Sequence, residues 1–247
     1  RRQRQMCIRD SYTPSQKAAK RQAIMTAAIN LFAHRSYPEI TMQQIAEAVG
    51  SSKGATFRYF TTKEDLFMTI LLEDYQQYFT QLTTDLAQQP PLSADDFIAW
   101  MTTQTRQLIE EHSVLIRLNA IRGPILEGKA NMQETITQRE ALYRASQHLG
   151  QQLVIQTDHL LDQSQFSHLF IIQSGIISGL MNMAALTSFN HHKLSVDYPD
   201  FEIRLIPEAQ QQIRYYLTQY LKEFSHKWNN PISCLLYTSP SPRDRQK

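Results

Sequence analysis

Helix-start signals recur at short intervals in the first quarter of the sequence, and they constrain the fold more than any other feature. The signals are Thr13 with Gln16, Thr41 with Gln44, Ser52 alone, and Thr62 with Asp65. A Ser or Thr hydroxyl at such a position accepts a free N–H of the first helical turn, and the residue three places on bonds back to the cap. Apolar residues at helical spacing follow each signal, so the pattern predicts helices at about 14–34, 42–49, 53–59 and 63–88.

Gly50 separates the second of these helices from the third. Glycine adopts the left-handed backbone conformation without a side-chain penalty, and it therefore ends helices readily. Two short helices joined by a glycine-containing turn have the geometry of a helix-turn-helix, whose second helix enters the major groove of DNA. That geometry alone is weak support for DNA binding, because many helical proteins contain it by accident.

The rest of the sequence also has helical spacing, after a break at Pro90 and Pro91. We expect further helices at about 93–112, 114–122, 129–162, 166–188 and 206–228, with a loop between the last two. Glycine is scarce, with 7 in 247 residues, and no segment alternates as a strand does. The prediction is an all-α fold with a small head at residues 12–62 and a larger helical body at residues 63–233.

The two ends of the chain differ from everything between them. Residues 1–11 read RRQRQMCIRDS and residues 234–247 begin CLLYTSPSPRD. Each matches an in-frame translation of a transposase sequencing adapter over about ten codons, so we expect both to be artefacts. The alternative is a basic DNA-grasping arm and a Pro/Ser tail. Both cysteines, Cys7 and Cys234, lie in these ends, so residues 12–233 contain no cysteine for a disulfide, a nucleophile or a metal site.

Charge is distributed unevenly between the predicted head and body. Residues 12–63 hold seven basic side chains and two acidic ones, whereas residues 64–233 hold 11 basic and 19 acidic. A basic head on an acidic body suits a protein that meets a polyanion with one end only. Chance clustering of charges on solvated faces is the alternative.

The stretch 31–66, LFAHRSYPEITMQQIAEAVGSSKGATFRYFTTKEDL, closely resembles the signature of the TetR/AcrR family of transcriptional regulators. The matching residues are Phe32-Ala33, Thr41, Ile45-Ala46, Gly50, Ser52-Lys53-Gly54, Tyr59-Phe60 and Lys63-Glu64 with Leu66. The resemblance implies a three-helix DNA-binding domain at residues 12–62. It also implies a ligand-binding and dimerisation domain at residues 63–233.

The resemblance implies DNA-binding roles for nine residues: Thr41, Ser52, Lys53, Gly54, Thr56, Phe57, Arg58, Tyr59 and Lys63. Thr41, Tyr59 and Lys63 correspond to phosphate contacts in the family. Lys53 is expected to donate to a guanine edge, and the Thr56 methyl to touch thymine. Phe60 is expected to point inward.

Three positions depart from the family pattern. Phe57 stands where tyrosine is usual, which removes one hydroxyl and costs about 0.5–1.5 kcal/mol of binding, and neighbouring Arg58 is placed to compensate. Ser36 stands where a helix-ending glycine is common, which is costly only if its backbone is left-handed. Ser51 replaces a small apolar residue in the turn.

The family architecture also assigns roles within the body. The last two helices form the dimer in the family, so Gly175, Gly179, Ile213, Tyr216, Leu217 and Tyr220 are the expected interface. The expected lining of a small-molecule pocket is Trp100, Met101, Arg117, Tyr143 and Phe170. For each of these residues an ordinary core or surface role is the alternative.

No catalytic motif is evident, and we expect no enzyme, cofactor or metal site. His191 and His192 lie in a predicted loop without a spaced third ligand. The most apolar stretch, residues 169–186, is interrupted by polar residues and favours a buried helix over a membrane span. The sequence therefore predicts a cytoplasmic homodimeric repressor that binds a near-palindromic duplex and is released by a small-molecule effector. The alternatives are a DNA-bound organiser without ligand control and a helical ligand-binding protein with a decayed head.

Overall fold

The structure is a computed structural model, and it describes residues 13–184, 200 and 202–228. Within those ranges the regular structure is helical, without a strand, and the all-α prediction is confirmed. The adapter-like ends and the pair His191-His192 lie outside the described residues.

The head, residues 13–62, contains three helices: α1 (Pro14–His34), α2 (Met42–Ala48) and α3 (Lys53–Thr56). Thr13 and Gln16 form the predicted capping box of α1, and Thr41 and Gln44 form that of α2. A short 3-10 turn, Tyr37–Glu39, lies between α1 and α2. The helix starts therefore follow the local signals that the sequence contains.

Ser36 does not need the glycine that is common at its position. Its φ is −74°, in the extended region, so the missing glycine costs nothing there. Ser36 instead begins the 3-10 turn, with its backbone N–H donating to Glu39 Oε2 at 2.9 Å. Gly50 does have the left-handed φ, at +59°, which allows α2 to end where predicted.

The helices after the head are α4 (Lys63–Leu86), α5 (Ala94–Glu111), α6 (Ser113–Ile121), α7 (Met132–Gln156), α8 (Gln163–Ala184) and α9 (Leu205–Trp228). A π turn, Arg122–Leu126, follows α6. The sequence predicts one helix from 129 to 162, whereas α7 ends at Gln156. Its end is followed by left-handed Asp158 and His159, with φ of 48° and 64°.

The described residues fall into two compact units. One comprises residues 13–78 and 113–144, and the other comprises residues 79–112, 145–184, 200 and 202–228. We call them the first and second units. The first unit thus contains the head, most of α4, all of α6 and the start of α7. The functional division at residue 62 stays a prediction.

Aromatic and aliphatic side chains fill the interior of the first unit. Ring centroids of Phe32 and Tyr37 lie 5.5 and 5.3 Å from that of Phe67 on α4. Phe60, which is expected to point inward, is 2% exposed. Further buried residues are Ile24, Ala28, Ile40, Ile45, Ala46, Leu66 and Ile70. These contacts hold the three head helices against the first half of α4.

The second unit is built from α5, α8, α9 and the second half of α7. Phe97 of α5 packs edge-on against Phe166 of α8, with centroids 5.2 Å apart. Gly150 of α7 allows close approach to α8, because a Cβ there would stand 2.8 Å from Gln163 O and from Ser167 Oγ. The side-chain amide of Gln156 donates to Leu86 O at 2.9 Å and fixes the start of the proline-containing connection.

Candidate nucleic-acid interface

The start of α2 presents an exposed Thr41. Its hydroxyl accepts the N–H of Gln44 at 3.3 Å and donates to Gln44 Oε1 at 3.1 Å. Gln44 Oε1 in turn accepts the N–H of Thr41 at 2.8 Å. The box fixes the first turn of α2 and leaves Thr41 at the surface, where its expected phosphate contact stays a prediction.

The turn between α2 and α3 is held by backbone and cap contacts. The N–H of Ser51 donates to Ala46 O at 2.9 Å, and Gly50 supplies the left-handed residue between them. Ser52 then caps α3, because its hydroxyl accepts the N–H of Ala55 at 3.1 Å. The sequence predicts the roles of Gly50 and Ser52, and together these contacts fix the direction in which α3 leaves the turn.

We call residues 52–60 the recognition segment. Its α-helix covers Lys53–Thr56 and is followed by further turns, in which Phe60 N–H donates to Thr56 O at 3.3 Å. Ser52, Lys53, Gly54 and Arg58 are exposed along it. A Cβ on Gly54 would meet nothing within 4 Å, so a ligand can approach the backbone there closely.

Lys53 and Arg58 are the two basic side chains of the recognition segment. Within the described residues neither forms an ion pair. Lys53 Nζ lies 5.8 Å from the ring centroid of Phe57, a distance at which a cation–π contact is weak. Phe57 and Tyr59 are half-buried beside these cations.

Thr56 is placed differently from its prediction. It is 0% exposed, and its hydroxyl donates to Ser52 O at 3.2 Å. A β-branched side chain on the inner face of a short helix packs against the core, so Thr56 contributes to the interior of the head. The expected contact between its methyl group and thymine is therefore wrong for this conformation.

Lys63 is engaged by the backbone of the head. Its ammonium donates to Tyr37 O at 2.9 Å and to Ile40 O at 2.7 Å, and it lies 4.0 Å from the centroid of the Tyr37 ring. Burial lowers the pKa of Lys63, and the nearby Lys129 adds to that effect against the opposing charge of Glu64. The expected phosphate contact of Lys63 stays a prediction.

The expected pocket residues divide between the two units. Trp100, Met101 and Phe170 are buried in the second unit, where Phe170 packs on Phe79 with centroids 5.3 Å apart. Tyr143 belongs to the first unit and is 56% exposed. The expected contact of the three buried residues with a ligand stays a prediction.

Arg117, another of the expected pocket residues, contacts backbone carbonyls that the sequence did not predict. Its guanidinium lies at the end of α1, where it donates to Ala33 O at 3.3 Å and to Arg35 O at 3.1 Å. It also lies 4.3 Å from the Phe32 ring centroid. A cation at this position satisfies carbonyls that a helix C-terminus leaves free, so Arg117 serves as a cap for α1.

The expected dimer residues divide into two groups. Ile213 and Leu217 are each 1% exposed and face inward in α9, which packs on α5 and α8, so their assignment to the interface is wrong. Gly175 and Gly179 are exposed on α8 and have open space where a Cβ would stand. They share that helix with the exposed side chains of Ile171 and Met183.

Tyr216 and Tyr220 are accessible at the surface, as Gly175 and Gly179 are. Both are partly exposed on α9, and their rings stack with centroids 5.5 Å apart. Tyr215, 59% exposed, was missed by sequence reasoning. Its position on the helix is evident from spacing, but the direction of the buried face is not.

A buried polar contact in the second unit also escaped sequence reasoning. Gln173 of α8 is 1% exposed, and its amide donates to Thr105 Oγ1 of α5 at 2.9 Å. Gln210 of α9 donates to Thr102 O at 3.1 Å. These bonds fix the register of α8 and α9 on α5, since shifting either helix would leave buried polar atoms unpaired.

Metal-ligating side chains do not cluster in the described ranges, where no group of three His, Cys, Asp or Glu could hold an ion. One helix of the described chain, α8, is long and apolar enough to cross a membrane by length and composition alone. Core helices of soluble proteins pass the same test.

Comparisons with known proteins find a family match at the head. Residues 24–70 match the family model described as bacterial regulatory proteins, tetR family. The HTH-type transcriptional repressor AcnR of Corynebacterium diphtheriae is 40% identical over 55 residues, which cover 22% of this chain and 29% of that protein. The HTH-type transcriptional regulator RutR of Escherichia coli is 25% identical over 147 residues, which cover 58% and 69%.

A solved structure extends the similarity in fold. A TetR transcriptional regulator from Rhodococcus sp. RHA1 matches 82% of this chain and 96% of its own, with a TM-score of 0.50 and 16% identity. That identity supports a shared fold and no more. This chain spans less than half the length of the first curated repressors that it matches.

Proposed function

We infer that this chain, whose residues 24–70 are a DNA-binding module of the tetR family of bacterial regulatory proteins, is a sequence-specific transcriptional repressor. The observation that carries the proposal is the exposed face of the recognition segment. Ser52, Lys53, Gly54 and Arg58 lie along that face, and its two cations form no ion pair with any residue that the structure describes.

The chemistry of that face suits a duplex. Lys53 has the reach and the donors to contact guanine O6 and N7, a contact worth about 1–3 kcal/mol of discrimination. Arg58 supplies a second cation, and Gly54 lets the backbone approach the groove. Thr41 begins α2 on the surface of the same head, where a hydroxyl suits a phosphate oxygen.

The protein acts as a homodimer in this proposal. One recognition segment contacts too few base pairs for specificity, so two copies read a near-palindrome with two equal half-sites. The dimer surface that we propose combines Ile171, Gly175, Gly179 and Met183 of α8 with the partly exposed tyrosines of α9. Glycines without neighbours at the Cβ position allow two helices to approach closely.

An effector controls the dimer in the same proposal. A small molecule bound in the helical body favours a conformation in which the two recognition segments no longer fit successive major grooves. A ligand shifts the equilibrium only by its difference in affinity for the two conformations. The site of action is the bacterial cytoplasm, where the target DNA lies.

The test is selection of bound sequences from a random duplex library at low salt. We expect enrichment of a near-palindrome, and we expect Lys53→Ala to reduce the affinity for the enriched duplex by about 1–3 kcal/mol. Lys222→Ala is the matched control, because Lys222 is exposed on α9 and far along the chain from the head. A folded dimer that enriches no sequence would refute the repressor and favour a ligand-binding protein.

A further inference from the structure

The first unit contains more than a helix-turn-helix requires. Residues 113–144 belong to it together with the head. From this segment Gln138 Nε2 donates to Thr69 Oγ1 at 3.3 Å, and Glu134 Oε1 lies 3.7 Å from the guanidinium of Arg21. These contacts reach α4 and α1. A different residue connects the segment to the chain that follows the recognition segment.

Asp65 is that residue. Its Oδ2 accepts the Thr62 N–H at 3.0 Å and the Thr61 hydroxyl, while its Oδ1 accepts the N–H of Asn131 just before α7. Asp65 is only 5% exposed. Thr61 and Thr62 directly follow Phe60, the last residue of the recognition segment, so one carboxylate holds both that end and the start of α7.

The contact with Asn131 explains why this position needs a carboxylate. The capping box of α4 uses only Oδ2, and an amide oxygen would serve it equally well. A carboxylate accepts with both oxygens, whereas an amide has one acceptor and one donor group. With N–H groups on two sides, an asparagine at position 65 would have to turn its own N–H toward one of them.

We propose that Asp65 is a positioning residue for DNA reading, whose carboxylate ties the start of α7 to the end of the recognition segment and thereby fixes the direction of α3. The proposal rests on the DNA-binding function inferred above. Specific binding needs the recognition segments to be held in register with base edges, whereas non-specific binding depends chiefly on charge. Loss of the tie therefore affects the two kinds of binding differently.

The experiment compares three single variants and one double variant of the full chain. Asp65→Asn removes one acceptor without a change of shape, and Asn131→Pro removes the N–H that Oδ1 accepts. Asn131→Ala is the matched control, since it keeps that N–H and loses only the cap that Asn131 Oδ1 forms with Glu134 N–H at 3.1 Å. Affinities are measured for the duplex that the wild type enriches and for an unselected duplex of equal length.

We expect Asp65→Asn and Asn131→Pro each to weaken binding of the enriched duplex about tenfold, which corresponds to about 1.4 kcal/mol. Binding of the unselected duplex stays within about twofold, because the phosphate-contacting charges on the DNA side are unchanged. Asn131→Ala retains the wild-type preference for the enriched duplex. The double variant Asp65→Asn/Asn131→Pro has the same affinity for the enriched duplex as the single variant that binds it less tightly, because both substitutions remove the same tie.

Two results overturn the proposal. One is an unchanged preference for the enriched duplex in Asp65→Asn, which by itself decides the matter if Asn131→Pro does not fold. The other is an equal loss of affinity for both duplexes that follows a fall in the thermal midpoint, which makes Asp65 a folding contact only. A wild type that enriches no duplex refutes the proposed function instead, so the two failures are distinguishable.

Discussion

Replacing Lys63 tests whether this lysine stabilises the head or contacts DNA. In the structure its ammonium donates to two carbonyl oxygens, at 2.9 and 2.7 Å, and lies 4.0 Å from the Tyr37 ring centroid. Hydrogen bonds with a charged partner contribute about 1.5–3 kcal/mol, and cation–π contacts about 0.5–2 kcal/mol. Burial of the ammonium opposes these gains, as its lowered pKa indicates.

We expect Lys63→Met to lower the free energy of unfolding by about 2 kcal/mol, since the apolar stem is retained and only the charged donors are lost. Lys53→Met is the matched control. Lys53 is exposed and without an ion pair in the described chain, so its replacement changes stability by no more than about 0.5 kcal/mol. Urea unfolding of both variants at equal protein concentration, with equal m-values, measures the difference.

Salt dependence of DNA binding provides the second half of this test. Loss of a phosphate contact reduces the magnitude of the negative slope of log K against log salt by about 0.9. An ammonium that stays on its two carbonyls when DNA binds leaves the slope for Lys63→Met equal to that of the wild type. A Lys63→Met protein as stable as Lys53→Met, with a slope reduced by about one, would show that the ammonium leaves its two carbonyls for a phosphate.

Three further predictions concern the rest of the molecule. Gly150→Ala destabilises the chain by up to about 2 kcal/mol in denaturant unfolding, because the new Cβ meets α8 at 2.8 Å and this outweighs a helix-propensity gain of about 1 kcal/mol. Adding Ser167→Ala restores part of the loss, whereas a Gly150→Ala protein more stable than wild type would contradict the close packing. Burial, with the charge of Glu73 adding to it, raises the pKa of Asp74 to about 6, so its contribution to stability is present below pH 4 and lost as the pH rises through about 6. Asp74→Asn therefore stabilises more at pH 8 than at pH 4, by about 2 kcal/mol, and an equal effect at both pH values would exclude a raised pKa. Ile171→Glu weakens the dimer at least tenfold by sedimentation, whereas Ile155→Glu, 61% exposed on α7, does not; equal effects would remove α8 from the interface.

The head was predictable from sequence because its signals are local. Thr41 with Gln44 caps α2 within four residues, and Gly50 has the φ that only glycine adopts without cost. Hydroxyl, amide and glycine at fixed offsets determine such geometry without reference to the rest of the chain. The same holds for Ser52 and the start of α3.

Residues whose role depends on distant contacts were not predictable in the same way. Arg117 meets Ala33 O, a partner 84 positions away, and helical spacing cannot say which surface an arginine reaches. Ile213 shows a related limit, since spacing identifies an apolar face of α9 without saying whether α5 or a second chain covers it. Thr56 was misplaced because the rotation of a four-residue helix depends on where its core lies.

The buried position of Thr56 has a consequence for how regulators of this kind diverge. A side chain with 0% exposure at the C-terminal end of α3 is constrained by packing, so substitutions there are selected for stability before they are selected for any target sequence. Under the proposed function, new operator preferences would then arise first at the exposed residues of the recognition segment, Ser52, Lys53, Gly54 and Arg58. Gene duplicates with that function would accordingly drift apart through few positions, and a library randomised at those four would sample operator specificities without disturbing the packing of the head.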